Sequence, residues 1–139
     1  MLMGQLEPRE AGDKLYRQMF FGPVVTLTGR IRGKVGFSQA RNTPFQGLAA
    51  DGAKLALWNL FKAGYRIVAF VHDEVVIELP VDADHTEAAE DINRILCSSM
   101  QEVTPAIPIK CEFSLTDRWY KEAEEVKDSD GHLVLLEPQ

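Results

Sequence analysis

The 139-residue chain has 45% hydrophobic and 26% charged residues, which argues against disorder and fits one folded domain with its own core. Its formal net charge of −6 speaks at first against a polyanionic partner. The average conceals an asymmetry, because residues 1–62 hold nine Lys/Arg and four Asp/Glu, whereas residues 63–139 hold six and seventeen. No apolar run approaches the roughly 20 residues needed to span a bilayer. The first ten residues, MLMGQLEPRE, lack the apolar segment of a secretory signal. Cys97 and Cys111 lack a CxxC or His/Cys pairing, so they read as two small buried hydrophobes in a reducing compartment.

In chain order, residues 8–20 place Leu15, Met19 and Phe20 at helical spacing, with Pro8 acceptable in a first turn. Gly22-Pro23 breaks that pattern. Val24 to Leu27 is β-prone, and Gly29 to Lys34 reads as a flexible, positively charged loop. A long helix is expected from Pro44, with Asn42 or Thr43 as its cap and an end near Gly64. Two strands follow at about 65–71 and 74–79, apolar enough to be buried on both faces, with His72-Asp73-Glu74 at their junction. Asp84 and Glu87 have the spacing of a capping box, and Ile92, Ile95, Leu96, Met100 and Val103 make a 3.6-residue stripe behind it. Pro105 and Pro108 end that helix, and Ile109 to Phe113 reads as a third strand. The acidic stretch after Trp119 reads as solvated linker, and the final HLVLLEP as an edge strand or a docking tail. The fold class is therefore α+β: a small antiparallel sheet, hairpin plus third strand, packed on helices.

Three constellations carry chemistry. Asp73 and Glu74 at a rigid hairpin corner offer adjacent carboxylates to a hard cation, since Mg²⁺ takes one or two carboxylates plus water and phosphate oxygens. The same letters also fit a polar turn, because Asp is a common turn former. Asn42 and Gln46 lie four apart on the expected helix and can present two amides to minor-groove acceptors, or serve as a cap and an exposed Gln. Arg30, Arg32 and Lys34 beside Gly29 and Gly33 suit either backbone phosphates or a mobile solvated loop.

Taken together, Thr26-Leu27-Thr28-Gly29-Arg30-Ile31-Arg32, then Asn42-Thr43-Pro44-Phe45-Gln46-Gly47-Leu48-Ala49-Ala50-Asp51, then Val71-His72-Asp73-Glu74 and finally Trp119 resemble the C-terminal part of family A DNA polymerases. The resemblance covers about residues 24–121 and divides the chain into a helical lead-in (1–23), a C-terminal palm portion (24–121) and an acidic tail (122–139). Ser38 stands where the family usually has Arg, Phe70 where it often has Gln, and Leu48 where it has Thr.

The resemblance implies a partial polymerase palm and a DNA-directed nucleotidyl transfer. It makes Asp73 one of two aspartates holding a Mg²⁺ pair, Glu74 an outer ligand beside it, and His72 a group near the primer terminus. Asn42 and Gln46 correspond to residues touching the minor-groove side of the primer–template, and Arg30 to a support of the nucleic acid backbone or the local fold. Arg41 is a further nucleic-acid-binding candidate, on another face from the family's Arg. The second aspartate has no counterpart here, so the isolated chain is expected to be inactive and to need a complementary polymerase chain or a second copy. Implied partners are primer–template DNA and dNTP, without a membrane, in the cytoplasm of a bacterium or a phage-infected cell. Two other readings stay open: a non-catalytic DNA- or protein-binding remnant, and a small metal-dependent phosphohydrolase using Asp73 and Glu74.

Overall fold

The computed structural model describes residues 22–120 and 123–136, so the helix expected over 8–20 lies outside the described residues. The chain forms two compact units, divided after Asp51.

In the first unit, β1 (Val24–Val25) and β2 (Ile31–Arg32) pair antiparallel, with Val25 opposite Ile31. The segment expected as a flexible loop is therefore the turn and second strand of a hairpin. Gly29 makes this possible with φ +83°, a conformation that disfavours a Cβ. Thr26 closes the turn: its N–H donates to the Arg30 carbonyl at 2.9 Å, and its hydroxyl accepts the Arg30 N–H at 3.2 Å.

Helix α1 (Phe37–Lys62) starts at Phe37 and not at Pro44, so Asn42 and Thr43 are helical residues and not caps. The true start is a capping arrangement around Gly36. Its carbonyl accepts the Ala40 N–H at 2.8 Å, while the Gln39 side chain reaches back to the Gly36 N–H at 3.3 Å. Pro44 removes one helical donor, a defect worth about 3 kcal/mol in an isolated helix interior. Just before the proline, the buried Thr43 hydroxyl donates to the Gln39 carbonyl at 2.6 Å.

The second unit begins at Gly52, inside α1. The helix ends in a Schellman turn at the expected glycine: Tyr65 N–H donates to the Leu60 carbonyl, Gly64 N–H to the Phe61 carbonyl, and Gly64 has φ +93°. Strands β3 (Arg66–Val71) and β4 (Glu74–Glu78) then form an antiparallel hairpin within one residue of the expected bounds. Helix α2 (His85–Val103) opens on Asp84, whose carboxylate accepts the Thr86 and Glu87 N–H groups at 3.0 Å.

Leu60, Ile92 and Ile95 make the buried core here, with Tyr65, Ile67, Val75, Ile77, Leu79, Leu96 and Phe113 packed around it. The expected burial of the hairpin on both faces does not hold. Val68, Phe70 and Val71 are 60%, 43% and 39% exposed. Two strands packed on helices from one side leave the other side open, and the extra residue Val68 forms a bulge between the Ile67 and Ala69 pairs.

Residues 109–113, expected as a third strand, form no strand. The next strand, β5 (Leu115–Thr116), pairs in parallel with β6 (Leu135–Leu136), so the final apolar residues do supply a strand. The Leu133 N–H donates to the Thr86 hydroxyl at 3.0 Å and ties this tail to the start of α2. Both cysteines are free, with their sulfurs 3.9 Å apart. The α+β class thus stands, built from small sheets and two described helices. No helix among the described residues is long and apolar enough to cross a membrane.

Candidate functional site

The hairpin of the second unit ends in a two-residue turn. Val71 pairs with Glu74, which leaves only His72 and Asp73 between the strands. A connection this short must match the right-handed twist of its strands, and the turns that do so take positive φ at the first central residue. His72 has φ +58°, where glycine is the usual occupant. A histidine in this conformation is disfavoured by about 1–2 kcal/mol, and such strain concentrates at functional sites.

His72, Asp73 and Glu74 are all exposed at this tip. Glu74 and Glu78 stand on the strand face opposite Val75 and Ile77, which point into the core. Glu78 is engaged by Arg66 at 2.9 Å, whereas Asp73 and Glu74 form no salt bridge among the described residues. Two consecutive carboxylates with free oxygen donors suit Mg²⁺, which completes its shell with water and phosphate. They amount to part of a site, because no third His, Cys, Asp or Glu gathers with them among the described residues. The group that does gather is Asp128, Asp130 and His132, all exposed. There the Asp128 carboxylate accepts the Asp130 and His132 N–H groups at 2.9 Å, which lowers its pKa and explains the cluster as a turn.

The first unit holds the other expected site residues. Asn42 and Gln46 are exposed on α1, one turn apart and so on neighbouring parts of one face. Gln46 lines a shallow groove with Arg30, Ile31, Arg32, Thr43 and Gly47. Asn42 lines a second groove with Phe37, Ser38, Arg41 and Phe45. The Arg41 guanidinium lies over the Phe37 ring, 5.7 Å from its centroid.

Arg30 has a local partner. Its guanidinium grips Asp51 through two nitrogens, with Nε 3.0 Å from Oδ1, and the Thr28 hydroxyl donates to the same carboxylate. The hydrogen bond to Asp51, reinforced by its charge, raises the Arg30 pKa. Gly47 lets the hairpin lie against the helix, since a Cβ there would come within 2.6 Å of Thr26 Cγ2. The hairpin and the α1 surface are thus held in one register. Close backbone approach is what a glycine at position 47 suggests from sequence, whereas Asp51 and Thr26 carry no local signal as organisers of this surface. Phe37 and Phe45 were missed as surface aromatics, because on sequence alone an aromatic at helical spacing reads as core.

The model of DNA polymerase family A matches residues 15–121. DNA polymerase I of Aquifex aeolicus (strain VF5) is 36% identical over 107 residues, covering 70% of this chain and 18% of that protein. The thermostable DNA polymerase I of Thermus thermophilus is 37% identical over 126 residues, covering 84% of this chain and 14% of that protein. That of Thermus aquaticus is 39% identical over 85 residues, covering 58% and 10%. The chain thus spans less than a fifth of the length of these relatives. No solved structure matches it. With most of its length inside the family match, and with the hairpin tip and the α1 surface formed within that span, the chain belongs to DNA polymerase family A.

Proposed function

We propose that this chain is the C-terminal palm portion of a DNA-directed DNA polymerase, a fragment or a split subunit. In this reading it contributes one metal-binding carboxylate and part of the primer–template contact surface. The observation that carries the reading is the two-residue turn that places Asp73, beside Glu74 at the start of β4, at an exposed tip in a family A chain. Asp73 would be the Mg²⁺ ligand, and Glu74 would add negative charge beside it. Bound there, Mg²⁺ would supply Lewis-acid activation of the primer hydroxyl and charge stabilisation of the pyrophosphate leaving group. His72, fixed by the turn, orients the primer terminus. Asn42 and Gln46 offer amides to minor-groove acceptors that are nearly the same for every base pair, and Arg41 stands beside them to meet a phosphate.

The described residues bring no second aspartate to the tip, so nucleotidyl transfer requires a carboxylate from elsewhere. A primer-extension assay tests this, with the chain alone and with a polypeptide supplying the remaining polymerase segments. The expected result is no extension by the chain alone, extension on complementation, and its loss with Asp73→Ala. Extension that persists in Asp73→Ala would overturn the ligand assignment. DNA binding with no extension on complementation would favour a non-catalytic remnant.

A further inference from the structure

We propose that the groove on the first turns of α1, between Phe37 and Phe45, is a stacking site for the unpaired bases of single-stranded nucleic acid. This goes beyond the duplex contact proposed for Asn42 and Gln46. Phe37 and Phe45 are 64% and 71% exposed, two large rings two helical turns apart on a surface where most helices carry polar residues. Together with Ser38, Arg41 and Asn42 they line an open concavity of about 350 Å³, roomy enough for a planar base.

The chemistry of the lining favours a base over an apolar peptide. Arg41, held over the Phe37 ring at 5.7 Å, puts a planar cation in the groove, where it serves both phosphate and stacked base. Asn42 adds an amide that both donates and accepts, fit for a base edge that is not already paired. The surrounding charge points the same way. Residues 22–51 contain Arg30, Arg32, Lys34 and Arg41 against the single acid Asp51, which Arg30 engages. A positive surface with exposed aromatic rings is how sequence-tolerant single-strand sites are built, the backbone held by charge and the bases by stacking.

The test compares the 139-residue chain binding a fluorescent oligothymidylate with an abasic oligomer of the same length and charge. Alanine-scale losses of 1–3 kcal/mol per stacked base correspond to roughly 5- to 150-fold tighter binding of the base-bearing strand. Phe37→Leu/Phe45→Leu keeps an apolar surface but removes the rings, and should erase that preference while leaving abasic binding unchanged. Phe45→Tyr should retain it. Because both rings are exposed, the Leu variant is expected to keep the far-ultraviolet circular dichroism of the parent. As a measurement independent of any variant, oligomers carrying 5-iododeoxyuridine should photocrosslink to Phe37 or Phe45. Equal binding of thymidylate and abasic strands would overturn the proposal, as would crosslinks confined to other residues. So would a dimer that dissolves in the Leu variant without any base preference, since the groove would then serve a second copy of the chain.

Discussion

The Tyr65 hydroxyl donates to Asp91 Oδ2 across 2.8 Å, joining the residue after the Schellman turn of α1 to the middle of α2. Desolvation, and then the bond to Asp91, pushes the Tyr65 pKa from 10.0 up to about 12. A phenol harder to ionise in the folded state stabilises the fold fully below pH 10, and that contribution is lost as pH rises toward 12. The urea midpoint should therefore fall between pH 10 and 12, and fall less steeply in Tyr65→Phe. The same slope in both proteins would show that Tyr65 is not responsible. The Cys111 thiol, raised from 9.0 to about 11 first by burial and then by Cys97, adds an earlier decline that both proteins share.

Asp91 behaves in the opposite sense. Its pKa is lowered by hydrogen bonds from Arg94 and then Tyr65, so its stabilisation is present above the ordinary carboxylate range and lost in acid. Asp91→Asn should flatten the acid limb of the stability profile near pH 4 and below. An unchanged acid limb in that variant would remove Asp91 from the explanation.

Two glycines on one helix should respond differently to alanine. Both substitutions gain close to 1 kcal/mol of helix propensity. At Gly47 the new Cβ meets Thr26 Cγ2 at 2.6 Å, and Thr26 is buried with its hydroxyl bonded to the Arg30 N–H, so it has little freedom to turn away. At Gly52 the nearest atom is Met100 Sδ at 2.6 Å, the far part of an adaptable side chain. Thermal denaturation should show Gly47→Ala destabilised by about 1–2 kcal/mol and Gly52→Ala near neutral. The reverse order would contradict the packing described.

The hairpin turn offers a stability–function contrast. His72→Gly removes a side chain from a positive φ and should raise stability by up to about 1 kcal/mol. In the complemented polymerase it should lower the extension rate, since the imidazole that orients the primer end is gone. A variant equally stable and equally active would make His72 an ordinary turn residue.

What the sequence disclosed follows the range of the interactions. The β3–β4 hairpin, the Asp84 cap and the Gly64 stop are local, and each was legible within a few residues. Asn42-Thr43-Pro44 imitates a helix start, and it concealed the real one at Gly36 and Gln39 because a proline inside a helix is the less common case. The Arg30–Asp51 pair joins residues 21 apart, and the β5–β6 pairing joins Leu115 to Leu135, contacts that no local pattern encodes. The open outer side of β3 was also hidden, because a run such as Ile67 to Val71 looks the same whether one face or both are covered. At the candidate site, the turn position of Asp73 could be read from the flanking strands, but the positive φ of His72 could not.

The most direct measurement is the single-turnover rate of primer extension in the complemented enzyme at saturating Mg²⁺, for Asp73→Asn beside Glu74→Gln. If Asp73 is the metal ligand and Glu74 an outer charge, Asp73→Asn should slow the reaction by roughly a thousandfold or more, and Glu74→Gln by about tenfold at most. Equal, small effects of the two substitutions would contradict the assignment of Asp73 as the carboxylate that holds the catalytic metal.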